Sequence, residues 1–131
     1  MIVVDSAVLA GFALPKDAYH ADAKKARQRD RDWHAPELCR SEVRSVAAGQ
    51  LRKGESLNAL IEAASLADAS AQFYSMGGGE LFSVIAQSPL SAYDSEFVAL
   101  ADRLGCKLVT TDAEILKAFP NTAVRLSDFT S

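Results

Sequence analysis

Oxygen ligands are the only metal-binding chemistry this sequence carries in quantity. It has 17 Asp and Glu against two His and two Cys. A multi-histidine or thiolate site therefore lacks the ligands to assemble. Cys39 and Cys106 form no C-x-x-C pair and read as separate, reduced, packed thiols. Nucleotide-cradling loops are missing too, because Gly77-Gly78-Gly79 has no Gly-Lys-Ser/Thr continuation and no G-x-G-x-x-G follows the first apolar run. No G-x-S-x-G nucleophile elbow is present. Carboxylates remain. They suit hard cations such as Mg2+ and Mn2+. A cation held that way lowers the pKa of an attacking water and screens the charge that builds on a phosphate.

With so many acidic residues, position must select among them. Asp5 follows Ile2-Val3-Val4 directly, and a carboxylate at the end of such a run needs a partner or solvent. The competing reading is a helix N-cap for the segment that begins near Ala7. Asp112 closes the run Leu108-Val109-Thr110. Asp94 ends Ser91-Ala92-Tyr93-Asp94, which has the form of a capping box with Ser91 as N-cap and Asp94 reaching back to it. Thr111-Asp112-Ala113-Glu114 has the same form, with Glu114 as the reciprocal partner. Both boxes put an aspartate in the first turn of a helix, where free N–H groups and the dipole favour anions. Glu42 borders an apolar helix stripe, and an exposed residue ion-paired to Lys or Arg is its competing reading.

The elements that must position these groups alternate in type. Short apolar strands are expected at Ile2–Val4, Trp33–Ala35, Gln72–Ser75, Lys107–Thr110 and Ala123–Leu126. Helices are expected at Ala7–Ala13, Asp17–Arg29, from Glu37 to a stop at Gly54, Ser56–Ala69, Glu80–Gln87, Ala92–Leu104 and Asp112–Ala118, with Gly77-Gly78-Gly79 as a flexible joint. The stripe Tyr93, Phe97, Leu100, Ala101 and Leu104, closed by Gly105, is the clearest of them. This alternation predicts an α/β domain with a short, mostly parallel central sheet. In such sheets ligands bind at the carboxyl ends of the strands, the edge towards which Asp5 and Asp112 are pushed.

The bulk numbers are consistent with one such domain over residues 1–131: 49% apolar and 24% charged residues are enough to build a core without disulfide staples. No apolar run approaches the roughly 18 residues that a membrane span needs. The N-terminus lacks a basic leader and reads as the first strand, so a cytoplasmic location is expected. A net charge of −3 argues against a simple basic nucleic-acid binder but leaves a metal-dependent nuclease open, because bound cations reverse the local sign. Lys24, Lys25, Arg27, Arg29 and Arg31 form one basic stretch, and Arg40, Arg44, Arg52 and Lys53 another. A solvated helix face and an RNA-facing track both fit them.

Taken together, these pieces resemble the PIN-domain family, most closely the small VapC-type toxins of bacterial toxin–antitoxin pairs. The resemblance rests on Ile2-Val3-Val4-Asp5-Ser6, on Ala35-Pro36-Glu37-Leu38 leading to Glu42, and on Leu90-Ser91-Ala92-Tyr93-Asp94. Val98 to Gly105 and Leu108-Val109-Thr110-Thr111-Asp112 complete it. It spans essentially the whole chain and implies a PIN-like three-layer α/β/α domain. It further implies that Asp5, Glu42, Asp94 and Asp112 converge to bind Mg2+ or Mn2+, with Ser6 and Thr110 as hydrogen-bonding supports. The implied activity is endoribonuclease cleavage of RNA by a metal-activated water. The implied partners are a cognate antitoxin and a second copy of the chain, with no membrane involved.

Two positions depart from the family pattern. Ala7 stands where a small polar residue is common, and Ser45 where Asn is common. Outer partners of this kind are worth one to two orders of magnitude in metal affinity or activity. A fold-only module that acts through its antitoxin, or a structure-specific DNA nuclease of the same fold, are the alternatives. On the sequence alone, Asp5→Asn is expected to abolish cleavage with thermal stability equal or higher, by relief of carboxylate repulsion.

Overall fold

A computed structural model describes all residues, 1–131. Five strands form one sheet: β1 (Ile2–Val4), β2 (Trp33–Pro36), β3 (Gln72–Tyr74), β4 (Lys107–Thr110) and β5 (Ala123–Arg125). Their spatial order is β3-β2-β1-β4-β5, and every pairing is parallel. The chain builds outward from β1 through β2 to β3, then returns to the other side of β1 to lay down β4 and β5. The order therefore reverses between β1 and β4, and the crevice above that junction is where parallel sheets bind ligands.

Eight helices flank the sheet: α1 (Ser6–Ala13), α2 (His20–Arg29), α3 (Leu38–Arg52), α4 (Leu57–Ser70), α5 (Gly78–Ile85), α6 (Ala92–Leu104), α7 (Ala113–Ala118) and α8 (Leu126–Thr130). Helix α6 lies across β1, β2 and β4 with α5 packed on it, while α1 packs on α2, α3 and α4. No helix is long and apolar enough to cross a membrane.

Burial on both faces explains why the central strands read as unbroken apolar runs. Val3, Val4, Leu108 and Val109 are all fully buried, as are Val98, Leu100 and Ala101 of α6 beneath them. Each large apolar side chain so buried contributes about 1.5–3 kcal/mol. At the other end of the sheet, Trp33 packs edge-on against Phe12 and donates its indole N–H to the Asp30 carbonyl.

Several boundaries differ from the sequence expectation. Gly78 and Gly79 are the first residues of α5 rather than a joint, because Glu80 accepts the Gly77 N–H and closes the first turn. Leu126 ends no strand and instead opens α8, which the sequence pattern did not indicate. Helix α2 starts at His20, since the Asp17 carboxylate accepts the Tyr19 N–H and holds a turn there. Both expected glycine stops stand: Gly54 and Gly105 have φ of 99° and 65°, conformations that L side chains rarely adopt.

Candidate active site

Asp5 is the fixed point of the carboxyl edge. It leaves β1 buried, with only 7% of its surface exposed. Three donors converge on it. The Val8 N–H reaches Oδ1 at 2.9 Å, the Thr111 N–H reaches Oδ2 at 3.0 Å, and the Thr110 hydroxyl donates to Oδ2. Asp5 is thus the N-cap of α1 and, through Thr110 and Thr111, a clamp between β1 and the end of β4. Its two sequence readings are compatible. Burial pushes its pKa up, the three donors oppose that shift, and the Asp112 charge adds to it.

Thr110 also accepts the Asp112 N–H at 3.0 Å. Asp112 in turn caps α7, its Oδ1 accepting the Glu114 and Ile115 N–H groups at 2.8 and 3.2 Å. The expected box with Thr111 as N-cap and Glu114 as partner is therefore not formed. Asp112 is the cap, because its carboxylate accepts two amides at once. Asp94 makes only half of its expected box. The Ser91 hydroxyl accepts the Asp94 N–H at 3.1 Å, while the Asp94 carboxylate caps nothing. Its pKa is raised by partial burial and then by the charges of Asp112, Glu42 and Glu114.

Glu42, on α3, carried the least support in the sequence. It forms no ion pair with Lys or Arg, which was its competing reading. Instead its Oε1 accepts the Ser6 hydroxyl at 2.6 Å, and Ser6 Oγ lies 3.5 Å from the buried Cys39 Sγ. Burial pushes the Cys39 thiol up to about 12, so it packs as an uncharged side chain. Cys39 and Cys106 are both free thiols.

Asp5, Ser6, Ala7, Glu42, Asp94, Phe97, Thr111, Asp112 and Ile115 line one groove of about 210 Å3. Its four carboxylates come from a strand end and from three different helices or caps, and no lysine or arginine joins the lining. An uncompensated set of this kind in a half-buried cleft is electrostatically suited to a cation. The donor set fits Mg2+ or Mn2+, being all oxygen. Beyond the hydrogen bonds described, Asp112 keeps its Oδ2 and Glu42 its Oε2, and the Asp94 carboxylate has only the Ser91 hydroxyl as a neighbouring donor. No three Asp, Glu, His or Cys side chains anywhere in the molecule are grouped closely enough to hold one ion between them. The four carboxylates line the groove without forming a closed ligand set.

The two departures from the family pattern fall differently. The Ala7 methyl lines the groove, whereas Ser45 is exposed on α3 and takes no part in the lining. Much of the basic residue content is structural. Arg27 donates to the Ser70 carbonyl and covers the Phe12 and Trp33 rings, Arg29 holds the Phe129 carbonyl, and Arg40 and Arg44 pair with Asp68. Residues beside the groove that the motifs did not flag are Tyr19 and Arg125. The parallel pairing Thr110↔Arg125, not any sequence pattern, brings Arg125 to this edge.

The chain carries a parallel sheet with a carboxylate groove above its reversal point, and it belongs to the PIN domain family, whose model matches residues 2–120. Ribonuclease VapC3 of Pyrobaculum aerophilum is 27% identical over 125 residues, spanning 91% of this chain and 95% of that one. Among solved structures, PAE2754 from Pyrobaculum aerophilum matches with a TM-score of 0.74 at 21% identity, over 98% of this chain and 92% of that one. Mycobacterium tuberculosis VapC20, described as a sarcin–ricin loop cleaving toxin, matches with a TM-score of 0.66 at 13% identity, over 93% of this chain and 96% of that one. At such identities these structures speak for the fold.

Proposed function

We propose that this protein is a Mg2+- or Mn2+-dependent endoribonuclease, the toxin of a toxin–antitoxin pair, with Asp5, Glu42, Asp94 and Asp112 as its catalytic carboxylates. The observation that carries this reading is that those four side chains, from separate elements, line one groove whose lining includes no Lys or Arg. Membership of the PIN domain family and the likeness to Ribonuclease VapC3 support RNA as the substrate. They also support a cytoplasmic protein that pairs with a cognate antitoxin and with a second copy of itself.

A divalent ion bound there would lower the pKa of an attacking water and screen the charge that builds on the phosphate. The chain's own residues do the rest. Asp94, Asp112 and Glu42 would hold the ion through their carboxylate oxygens, directly or through water. Asp5, gripped by Val8, Thr110 and Thr111, cannot swing away and so fixes one side of the site. Thr110 couples that grip to the Asp112 cap, so β1 and β4 present their aspartates as a unit. Ser6 orients Glu42 across the groove. The Ala7 methyl in the lining favours a second reading, a module that acts through its antitoxin with little cleavage of its own.

Cleavage of single-stranded RNA with Mn2+, with Mn2+ plus excess EDTA, and after metal is restored separates the two. We expect cleavage, loss and recovery, and no cleavage by a folded Asp94→Asn variant. Full activity in EDTA or in that variant would overturn the metal mechanism, and a metal-loaded wild type that binds antitoxin but cuts nothing would favour the module.

A further inference from the structure

A carboxylate groove cannot by itself hold a polyanion. The chain needs positive charge and a base platform nearby. Next to the groove is a notch formed by Tyr19, Asp22, Thr111, Arg125, Leu126 and Ser127, and Thr111 lines both. We propose that this notch is a nucleotide subsite for the residue of an RNA strand next to the scissile phosphate. In it, Arg125 takes that nucleotide's phosphate, Tyr19 stacks on its base and Asp22 accepts a hydrogen bond from its 2′-hydroxyl. The proposal rests on the ribonuclease reading.

Three observations carry it. First, Arg125 pairs in register with Thr110, one strand from the residue that grips Asp5. Adjacent strands are about 4.8 Å apart, so the arginine stands beside the groove and not at a remote face. Second, Arg125 is exposed and bound to no carboxylate, although Asp22 lines the same notch. By contrast, Arg27, Arg29, Arg40, Arg44 and Arg103 are engaged with carbonyls or carboxylates, and the other two arginines without such a partner, Arg31 and Arg52, do not line the notch. Third, Tyr19 keeps 43% of its surface exposed yet is held in place. Its N–H donates to Asp17 at 2.8 Å, and its Cβ lies so close to Gly11 that a Cβ added there would meet it at 3.0 Å. The backbone and Cβ of Tyr19 are anchored, so its exposed ring at the notch edge offers a stacking face to a base. Asp22 repels phosphate but accepts from a ribose hydroxyl, the group that distinguishes RNA from DNA.

The test uses the full chain and a labelled, mixed-sequence single-stranded RNA oligonucleotide, with DNA of the same sequence beside it. Arg125→Ala should raise KM about tenfold with kcat within about twofold. It should also reduce the slope of log affinity against log salt, measured in EDTA, by about one. Tyr19→Ala should raise KM similarly, and Tyr19→Phe should restore it. Asp22→Ala should narrow the preference for RNA over DNA. Mn2+ affinity, read by calorimetry, should be unchanged in all of them, and Lys53→Ala should behave as wild type. If wild type cleaves RNA while Arg125→Ala and Tyr19→Ala keep its KM and salt slope, the subsite is overturned and the ribonuclease reading stands. If wild type neither binds nor cleaves RNA, both fall.

Discussion

Asp5 holds two roles on one side chain, and its partners decide what a substitution does. An amide in its place removes a buried charge but also puts an NH2 group where an oxygen accepted. If that group replaces Oδ1, it faces the Val8 N–H. If it replaces Oδ2, it faces the Thr111 N–H. One amide donor is orphaned either way, at about 1–3 kcal/mol, and this offsets the relief of charge. The sequence-based expectation for Asp5→Asn is therefore revised: cleavage lost, and melting temperature equal to or below wild type. Thermal denaturation at neutral pH checks it, and a clear rise would contradict the three-donor account. The same neighbourhood explains what was legible residue by residue. The run of Ile2-Val3-Val4 places Asp5 at a strand end. No local pattern reveals that Ser6 turns to Glu42, 36 positions away.

At the scale of elements, strand and helix identity followed from apolar period, while ends and caps depended on which side chain won the free N–H groups. Helix α6 and strand β4 have the bounds the sequence implied. At α7 the two-amide acceptor Asp112 displaced Thr111 as cap. Helix α5 shows a tertiary clasp: Arg103 of α6 reaches the Glu80 carboxylate, Nε to Oε2 at 2.9 Å, and donates to the Ser75 carbonyl at 3.0 Å. The guanidinium holds Glu80 down to about 2. A depressed carboxylate stabilises the fold above its ordinary value of 4.5, and that contribution is lost as pH falls towards 2. The pair is exposed, so the effect belongs to α5 and not to global stability. Hydrogen exchange should show residues 75–85 opening faster as pH falls through that window, and Arg103→Gln should open them at neutral pH too. Equal protection in that variant would mean that apolar packing alone holds α5.

For the whole molecule, the groove is a concentration of negative charge that folding creates against repulsion. Burial and then Asp112 raise Asp94, and burial raises Asp5 above its ordinary 3.8. A raised carboxylate stabilises the fold fully below its unfolded pKa, and that contribution is lost as pH rises through the folded one. A divalent ion binds the ionised groups, so it stabilises most where the bare protein has lost this contribution. Mn2+ at one fixed concentration, about a hundred times its Kd at pH 7.5, should add about 2.7 kcal/mol at that pH and less where protonation weakens its binding. The resulting rise in melting temperature should be larger at about pH 7.5 than at about pH 5. A metal-induced shift equal at both pH values would show that the ion does not bind through these carboxylates.

The sequence by itself determined the α/β class and the placement of Asp5 and Asp112 at one sheet edge, because strand period and helix stripes are local properties of the chain. The motif blocks added the four carboxylates as a set. Tertiary structure decided the rest: the strand order that reverses between β1 and β4, the Ser6–Glu42 bond, the release of the Asp94 carboxylate from its cap, and the arrival of Arg125 beside Thr110. Each of these depends on which strands pair and in what register. That choice is made by burying two apolar faces at once, a property of the assembled sheet that no single segment encodes.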